Sequence, residues 1–273
     1  MHTWIKTIHC PCSFNKLLVH NYIRWLTFYQ KYDRMDRRIE QKRGNYMNFK
    51  IFKTYEEASK FAADYIATAL KDKKNSVLGL ATGSSPEGMY KELISMYKNG
   101  DVDFSKVHSV NLDEYVGLEG THPQSYRYFM NDRLFDHVNI DLQNTRVPNG
   151  VAKDLEEEAK AYTKMVESLG AIDVQVLGIG PNGHIGFNEP GEKLTVNTHV
   201  ADLTEGTIEA NARFFDSKDE VPTKALTMGT AQIMKAKKIL LIASGENKAW
   251  AVKQLTTEEI TTCLLYTSPS PRD

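Results

Sequence analysis

Cysteine is nearly missing from this chain, and the three that occur, Cys10, Cys12 and Cys263, fall outside the stretch that reads as a fold. A disulfide framework is thereby excluded, and a reducing cytoplasm is the natural compartment. Cys10-Pro-Cys12 has neither the two-residue spacing nor the second ligand pair of a zinc site, so no metal is expected. Also lacking is an uncharged run approaching the ~20 residues that cross a bilayer. The formal net charge is only −1 at pH 7, which gives no global pull toward nucleic acid or membrane. There are no internal repeats. What remains is a chain of 273 residues, 41% hydrophobic and 25% charged, enough for one sizeable core as one large domain or two small ones.

The organising stretch is Leu177–Gly191, LGIGPNGHIGFNEPG. VQVLGIG before it is β-branched and uncharged, the pattern of a fully buried strand, and Gly178, Gly180 and Gly183 let the backbone turn sharply after it. The polar groups that follow, Asn182, His184, Asn188 and Glu189, therefore sit at a strand's carboxyl end, where open α/β sheets place their ligands. The glycine spacing resembles a dinucleotide fingerprint. Pro181 and His184 argue against a helix cradling a pyrophosphate, however, so no nicotinamide cofactor is expected.

The same strand-loop-helix grammar recurs from Met47 onward. MNFKIFK alternates as a short strand, and Thr54 with Glu56 and Glu57 opens a helix. NSVLGLATG is a buried strand ending in Thr82, Gly83, Ser84 and Ser85, ahead of a helix with Pro86 near its start. A small polar loop at a helix N-terminus offers free N–H groups and the positive end of the dipole to a phosphate, although Ser and Thr in such a place also serve as ordinary caps. VHSVNLDEY is the third strand, with Asp113 and Glu114 at its end. Adjacent carboxylates on extended backbone point to opposite faces, so one of the two faces the site. HPQSYRYFMNDRLFDHV reads as an amphipathic helix with core aromatics, NTRVPNG as a loop, and KDLEEEAKAYTKMVESLG as a helix with one solvated face. LTVNTHVADLT is irregular or extended, TEGTIEANARFFDSKDEVP is a helix bearing Arg213, and KALTMGTAQIMKAKKILLIASG gives a short helix and a buried strand. GENKAWAVKQL then begins another helix with Lys248 in its first turn. A cation there opposes the dipole, which an anionic ligand would explain, while Arg213 taken alone is an ordinary helix-end cation. The fold expected is α/β, a Rossmann-like, parallel-rich sheet with helices on both faces.

GIGPNGHIGFNEPG, NLDEYVGL and LGLATGSSP together resemble the glucosamine-6-phosphate deaminases, in that family's order and spacing, from about Met47 to Thr262. The resemblance picks Asp113 over Glu114. It implies a reaction of glucosamine 6-phosphate with water that yields fructose 6-phosphate and ammonia, in amino sugar catabolism, with no metal or organic cofactor. In that reading His184, oriented by Glu189, opens the sugar ring, and Asp113 moves a proton between C2 and C1. Gly180 and the Thr82–Ser85 loop, Arg213 and Lys248 would hold the substrate and its phosphate. Asn182 stands where some family members have Asp, and Asn can orient His184 only by hydrogen bonding. After the NEP segment Lys193 is the only firm cation, so little or no activation by N-acetylglucosamine 6-phosphate is expected. The rivals are a 6-phosphogluconolactonase-like hydrolase, which shares the fold, and a non-catalytic sugar-phosphate-binding regulator. A homo-oligomer is left open; nucleic acid and membrane are not expected partners.

Neither end belongs to the resemblance. Residues 1–46 carry nine basic against three acidic side chains, which could mark a targeting peptide or a nucleic-acid arm, but no small-residue cleavage site is present. KRGNY ahead of Met47 can be encoded by a purine-rich ribosome-binding stretch, so 1–46 is expected to be non-native leader, disordered or loosely helical. Residues 47–262 form the sugar-phosphate domain. Resembling deaminases continue past the last helix with another strand and helix, whereas TTCLLYTSPSPRD is Ser/Pro-rich. Residues 263–273 are therefore expected to be a non-native tail on a truncated frame.

Overall fold

In the computed structural model, the described residues are 3–9, 17–19, 47–191 and 194–255. Lys193 and the 263–273 tail lie outside them. The elements in chain order are β1 (Thr3–His9), β2 (Leu17–Val19), β3 (Met47–Phe52), α1 (Tyr55–Asp72), β4 (Val77–Leu80), α2 (Ser84–Lys98), β5 (His108–Asn111), β6 (Asp113–Tyr115), α3 (Tyr126–Arg133), β7 (Thr145–Arg146), α4 (Leu155–Ser168), β8 (Val174–Leu177), β9 (His199–Asp202), α5 (Glu205–Asn211), β10 (Lys224–Thr227), α6 (Thr230–Met234), β11 (Lys238–Ala243) and α7 (Ala249–Gln254).

The centre is a parallel run in the order β11-β8-β4-β5-β7. Its strands are short, with β4, β8 and β11 rich in leucine or β-branched residues; β4 and β8 are buried at every position, as strands covered on both faces must be. From β4 the chain runs outward through β5 to β7, then returns to place β8 on the other side of β4. This reversal leaves a crevice at the carboxyl ends of β4 and β8, the switch point at which such sheets bind ligands. Helices cover the sheet; α1 and α2 pack on one another. Thr54 caps α1 by accepting from Glu57 N–H at 3.2 Å, and Asp154 caps α4 through two amides, so the helix starts read from the sequence have their physical cause in these side chains.

At the amino ends of the strands one buried carboxylate ties the layers together. Asp173 lies 2.6 Å from both Lys73 and Lys237 and accepts from Val77 N–H at 2.9 Å. Burial pushes its carboxyl up, but the two ammonium groups and the amide outweigh that and hold it below the usual carboxylate value.

Several sequence expectations need correcting. VHSVNLDEY is not one strand: β5 ends at Asn111, and β6 leaves the main sheet to pair antiparallel with β10, which itself pairs with β9 in a second, three-stranded sheet. NTRVPNG contains β7, paired with β5. The helix around Arg213 breaks after Asn211 into 3-10 turns at Ala212–Phe214 and Lys218–Glu220. Within 1–46, Thr3–His9 and Leu17–Val19 are strands rather than disorder or loose helix: β1 pairs antiparallel with β11 and β3, and β2 parallel with β11 and β3. The alternating TWIKTIH pattern is compatible with that pairing. Among the described residues no helix is long and apolar enough to cross a membrane.

Candidate active site

The loop after β8 folds back on itself. Gly180 N–H donates to His184 O at 2.9 Å and Gly183 N–H to Gly180 O at 3.1 Å. A Cβ at position 180 would run into the His184 imidazole, so only glycine lets the ring lie against the loop's own backbone. Asn182 accepts from His184 N–H at 3.2 Å and donates from Nδ2 to Glu189 Oε2 at 2.7 Å. The same Oε2 lies 3.6 Å from His184 Nδ1, an ion-pair separation. Glu189 Oε1 accepts from Thr207 Oγ1 at 2.8 Å and from Thr204 Oγ1 at 3.4 Å. Burial raises the Glu189 carboxyl, but the imidazole, Thr207 and Asn182 outweigh it and hold the pKa at about 2. The result is an ionised carboxylate beside the imidazole, placed to orient the ring.

Asp113 behaves in the opposite way. It begins β6 and is only 5% exposed; burial first, and the neighbouring Glu114 second, push its carboxyl up to about 8. Gly186, in the same loop as His184, covers it: a Cβ there would stand 3.1 Å from Asp113 Oδ2. The paired-carboxylate expectation is met in detail. Glu114 points away and accepts N–H groups from Tyr115, Tyr126 and Arg127 at 2.9, 2.8 and 2.9 Å, so it caps α3. Two adjacent carboxylates thus have separate tasks, set by the alternation of extended backbone.

The Thr82–Ser85 loop opens α2, and the helix cap is Gly83 with no side-chain cap bond. The reading of an ordinary Ser/Thr cap does not describe this turn. Tyr55 holds it from the side, donating to Ser84 O at 2.7 Å and accepting from Gly88 N–H at 2.8 Å. First-turn amides with no capping side chain suit an anion. Ser85 borders the β8 loop, where a Cβ on Gly178 would meet its Oγ at 3.8 Å. Lys248 ends the 3-10 turn after β11 and directly precedes α7, and Arg213 is close enough to repel it. Burial first and that guanidinium second push the Lys248 ammonium down to about 8. Two cations held together against their repulsion make a place where an anion binds favourably.

Residues that the sequence reading passed over complete the rim. The Tyr126 hydroxyl lies near Thr82 and the Tyr115 hydroxyl, and that of Tyr115 near Asn211, so polar side chains extend from the Thr82–Ser85 loop to the helix preceding Arg213. Tyr115, Tyr126 and Phe187 pack at centroid distances of 4.9–6.0 Å, Tyr126 and Phe187 stacked and Tyr115 tilted against both. Thr204 could have been found as the Thr that opens TEGT and caps α5; its partner Glu189, fifteen residues earlier, could not.

Fold and rim define a class: an α/β protein with Asp113 and the His184–Glu189 loop near the carboxyl ends of its central strands and a helix start without a side-chain cap after β4. The family model for glucosamine-6-phosphate isomerases/6-phosphogluconolactonase matches residues 53–263, and the chain belongs to that family. It is 62% identical over 216 residues to a glucosamine-6-phosphate deaminase of Clostridium perfringens, covering 79% of this chain and 89% of that one. A solved monomeric glucosamine-6-phosphate deaminase superposes with a TM-score of 0.76 at 48% identity, over 78% of this chain and 89% of its own. A 6-phosphogluconolactonase from Trypanosoma brucei superposes with a TM-score of 0.62 at 19% identity, covering 78% and 87%, a likeness of fold alone.

Proposed function

We propose that this chain is a glucosamine-6-phosphate deaminase of amino sugar catabolism, working in the cytoplasm. It converts glucosamine 6-phosphate and water to fructose 6-phosphate and ammonia. The observation that carries this reading is the placing of two oppositely shifted carboxyls about one loop: Asp113, held up near 8, under Gly186, and Glu189, held near 2, with its Oε2 3.6 Å from His184 Nδ1.

Each group has a task suited to its surroundings. His184, kept in orientation by Glu189 and through it by Asn182, passes a proton to the ring oxygen and opens the pyranose. Asp113 in its ionised form takes the C2 proton; the electron pair left behind forms the C1=C2 bond of the enolamine as the C1 carbonyl pair moves to O1, which regains the proton that the anomeric hydroxyl gave up on ring opening. The same proton returns at C1, leaving an imine at C2. Water adds to that carbon, the C–N bond breaks, and ammonia leaves with the proton that water supplied. A base whose pKa lies near the working pH suits both taking and returning a proton. The Thr82–Ser85 amides, Arg213 and Lys248 hold the phosphate, and Gly180 gives the imidazole its place.

The test is ammonia release from glucosamine 6-phosphate by the purified chain, with hydrolysis of 6-phosphogluconolactone measured beside it. Ammonia with no lactone hydrolysis is expected. Lactone hydrolysis without ammonia, or binding of the phosphosugar with neither product, would overturn the reading.

A further inference from the structure

The two halves of the site reach it on separate elements, His184 and Glu189 on the loop after β8 and Asp113 on β6. Something has to set the distance between them, and the structure shows two fasteners. Phe187 N–H donates to Thr227 Oγ1 at 3.2 Å, and Asn188 Nδ2 donates to Met228 O at 2.9 Å and to Ile185 O at 3.0 Å. Asn188 N–H also bonds Ile185 O at 3.1 Å. The turn Ile185–Asn188 is therefore closed on itself and fastened twice to the end of β10.

β10 is also the strand that holds Asp113. Thr227 stands opposite Asp113 in the antiparallel pairing. Met228 N–H bonds Leu112 O at 2.7 Å and Val116 N–H bonds Lys224 O at 3.0 Å, which makes the Thr227–Asp113 pair the closer, non-hydrogen-bonded kind, with both side chains on one face. Gly186 roofs that pair. Its φ is +59°, and a Cβ on it would fall 2.9 Å from Thr227 Oγ1 and 3.1 Å from Asp113 Oδ2. Thr227 is fully buried and Asn188 nearly so, far from any contact with solvent that would explain their polarity.

We infer that Thr227 and Asn188 are positioning residues that fix the height of the His184–Glu189 loop above Asp113, so that ring opening and the C2-to-C1 proton transfer act on one bound sugar. This rests on the roles proposed above for Asp113 and His184. Neither side chain has to touch substrate. Misplacing reacting groups by about 1 Å costs on the order of 10²-fold in rate, so removing one fastener should lower turnover while leaving the phosphate cradle and its affinity alone.

The experiment compares Thr227→Val, which keeps shape and loses the acceptor, with Thr227→Ser, which keeps it. Thr227→Cys, of similar size but a weak acceptor, is the second variant should Thr227→Val not fold. For Thr227→Val, kcat for ammonia release is expected to fall about ten-fold or more with KM changed less than about three-fold, Thr227→Ser to restore most of kcat, and Thr227→Cys to lie between. A Thr227→Val (or, failing that, Thr227→Cys) enzyme with unchanged kcat overturns the inference. So does a rise in KM that accounts for the whole loss, or a folded Thr227→Ser enzyme as slow as Thr227→Val. Asp113→Asn, run in parallel, separates the two levels: an active Asp113→Asn sinks the reading of the site, whereas an inactive Asp113→Asn beside an unimpaired Thr227→Val sinks only the positioning role.

Discussion

Lys248 offers a prediction with a sign. Its ammonium sits at about 8 instead of 10.5, through burial first and Arg213 second. At 1.36 kcal/mol per unit, keeping it charged at neutral pH costs the free protein at most about 3 kcal/mol, an upper limit because the side chain is partly open to water. A group whose folded pKa is depressed in this way binds fewer protons folded than unfolded. Its contribution to stability therefore rises with pH between about 8 and 10.5. A phosphate dianion supplies the missing counter-charge and should return the pKa toward its ordinary value. At pH 8, where about half of Lys248 is neutral and a phosphomonoester is already doubly charged, binding should draw in about half a proton from solution. Calorimetric titration with fructose 6-phosphate at pH 8, in two buffers of different ionisation heat, reads that number directly. Lys248→Gln should abolish the uptake and weaken binding about ten-fold or more, the loss of one charge-assisted hydrogen bond of roughly 1.5–3 kcal/mol. Arg213→Gln should weaken binding as well and reduce the uptake only in part, since burial, the larger cause, still holds the Lys248 ammonium down. A protein that takes up no proton at pH 8, or a Lys248→Gln variant that binds as tightly as its parent, would refute the pairing of these two cations around a phosphate.

Two further predictions follow from single contacts. Gly180→Ala places a methyl in the His184 imidazole and should cut kcat by about 10²-fold, on the scale of a misplaced reacting group; a fully active variant would show that the ring has another resting place. Asp173→Ala leaves the Val77 N–H and two lysines without their acceptor. It should lower stability by about 1–3 kcal/mol in urea titration at pH 7. Because the native Asp173 pKa is depressed, that difference should shrink as pH falls below the ordinary carboxylate value near 4.

Much of this molecule is legible in the sequence, and the limits have physical causes. Buried parallel strands announce themselves because both faces must be apolar, so VQVLGIG, NSVLGLATG and KILLIAS were readable without neighbours. The capped helix start at Thr54 was local and equally plain, while the Asp154 cap of α4 went unread inside KDLEEEAKAYTKMVESLG. The small antiparallel sheet was not, because β6, β9 and β10 have three or four residues each and owe their strandness to one another; KALT in particular reads as the start of a helix until β6 is beside it. The site divides in the same way. The His184–Glu189 loop, the Asp113-Glu114 pair and the Thr82–Ser85 loop stand at strand ends and are visible from position, whereas the choice of Asp113 over Glu114 rests on the family resemblance. Thr207 and Thr204 on Glu189, Tyr126 on Thr82, and Thr227 beneath Gly186 are contacts between distant segments, and no spacing rule joins residues 187 and 227. The sequence also cast Asn182 as a partner of the imidazole, whereas its side chain reaches Glu189 and the His184 backbone and acts on the ring through them.

The central claim is that Asp113 carries the proton between C2 and C1. Asp113→Asn keeps the size and shape of the side chain and removes the base, and it also removes a buried acid whose raised pKa lowers stability as pH climbs from about 4 toward 8. The deciding measurement is the rate of ammonia release per folded molecule of Asp113→Asn at saturating glucosamine 6-phosphate. The account predicts a fall of at least ~10² with the phosphosugar still bound and the fold at least as stable at pH 8 as before. An Asp113→Asn enzyme that turns over at the parental rate and is merely less stable would contradict it.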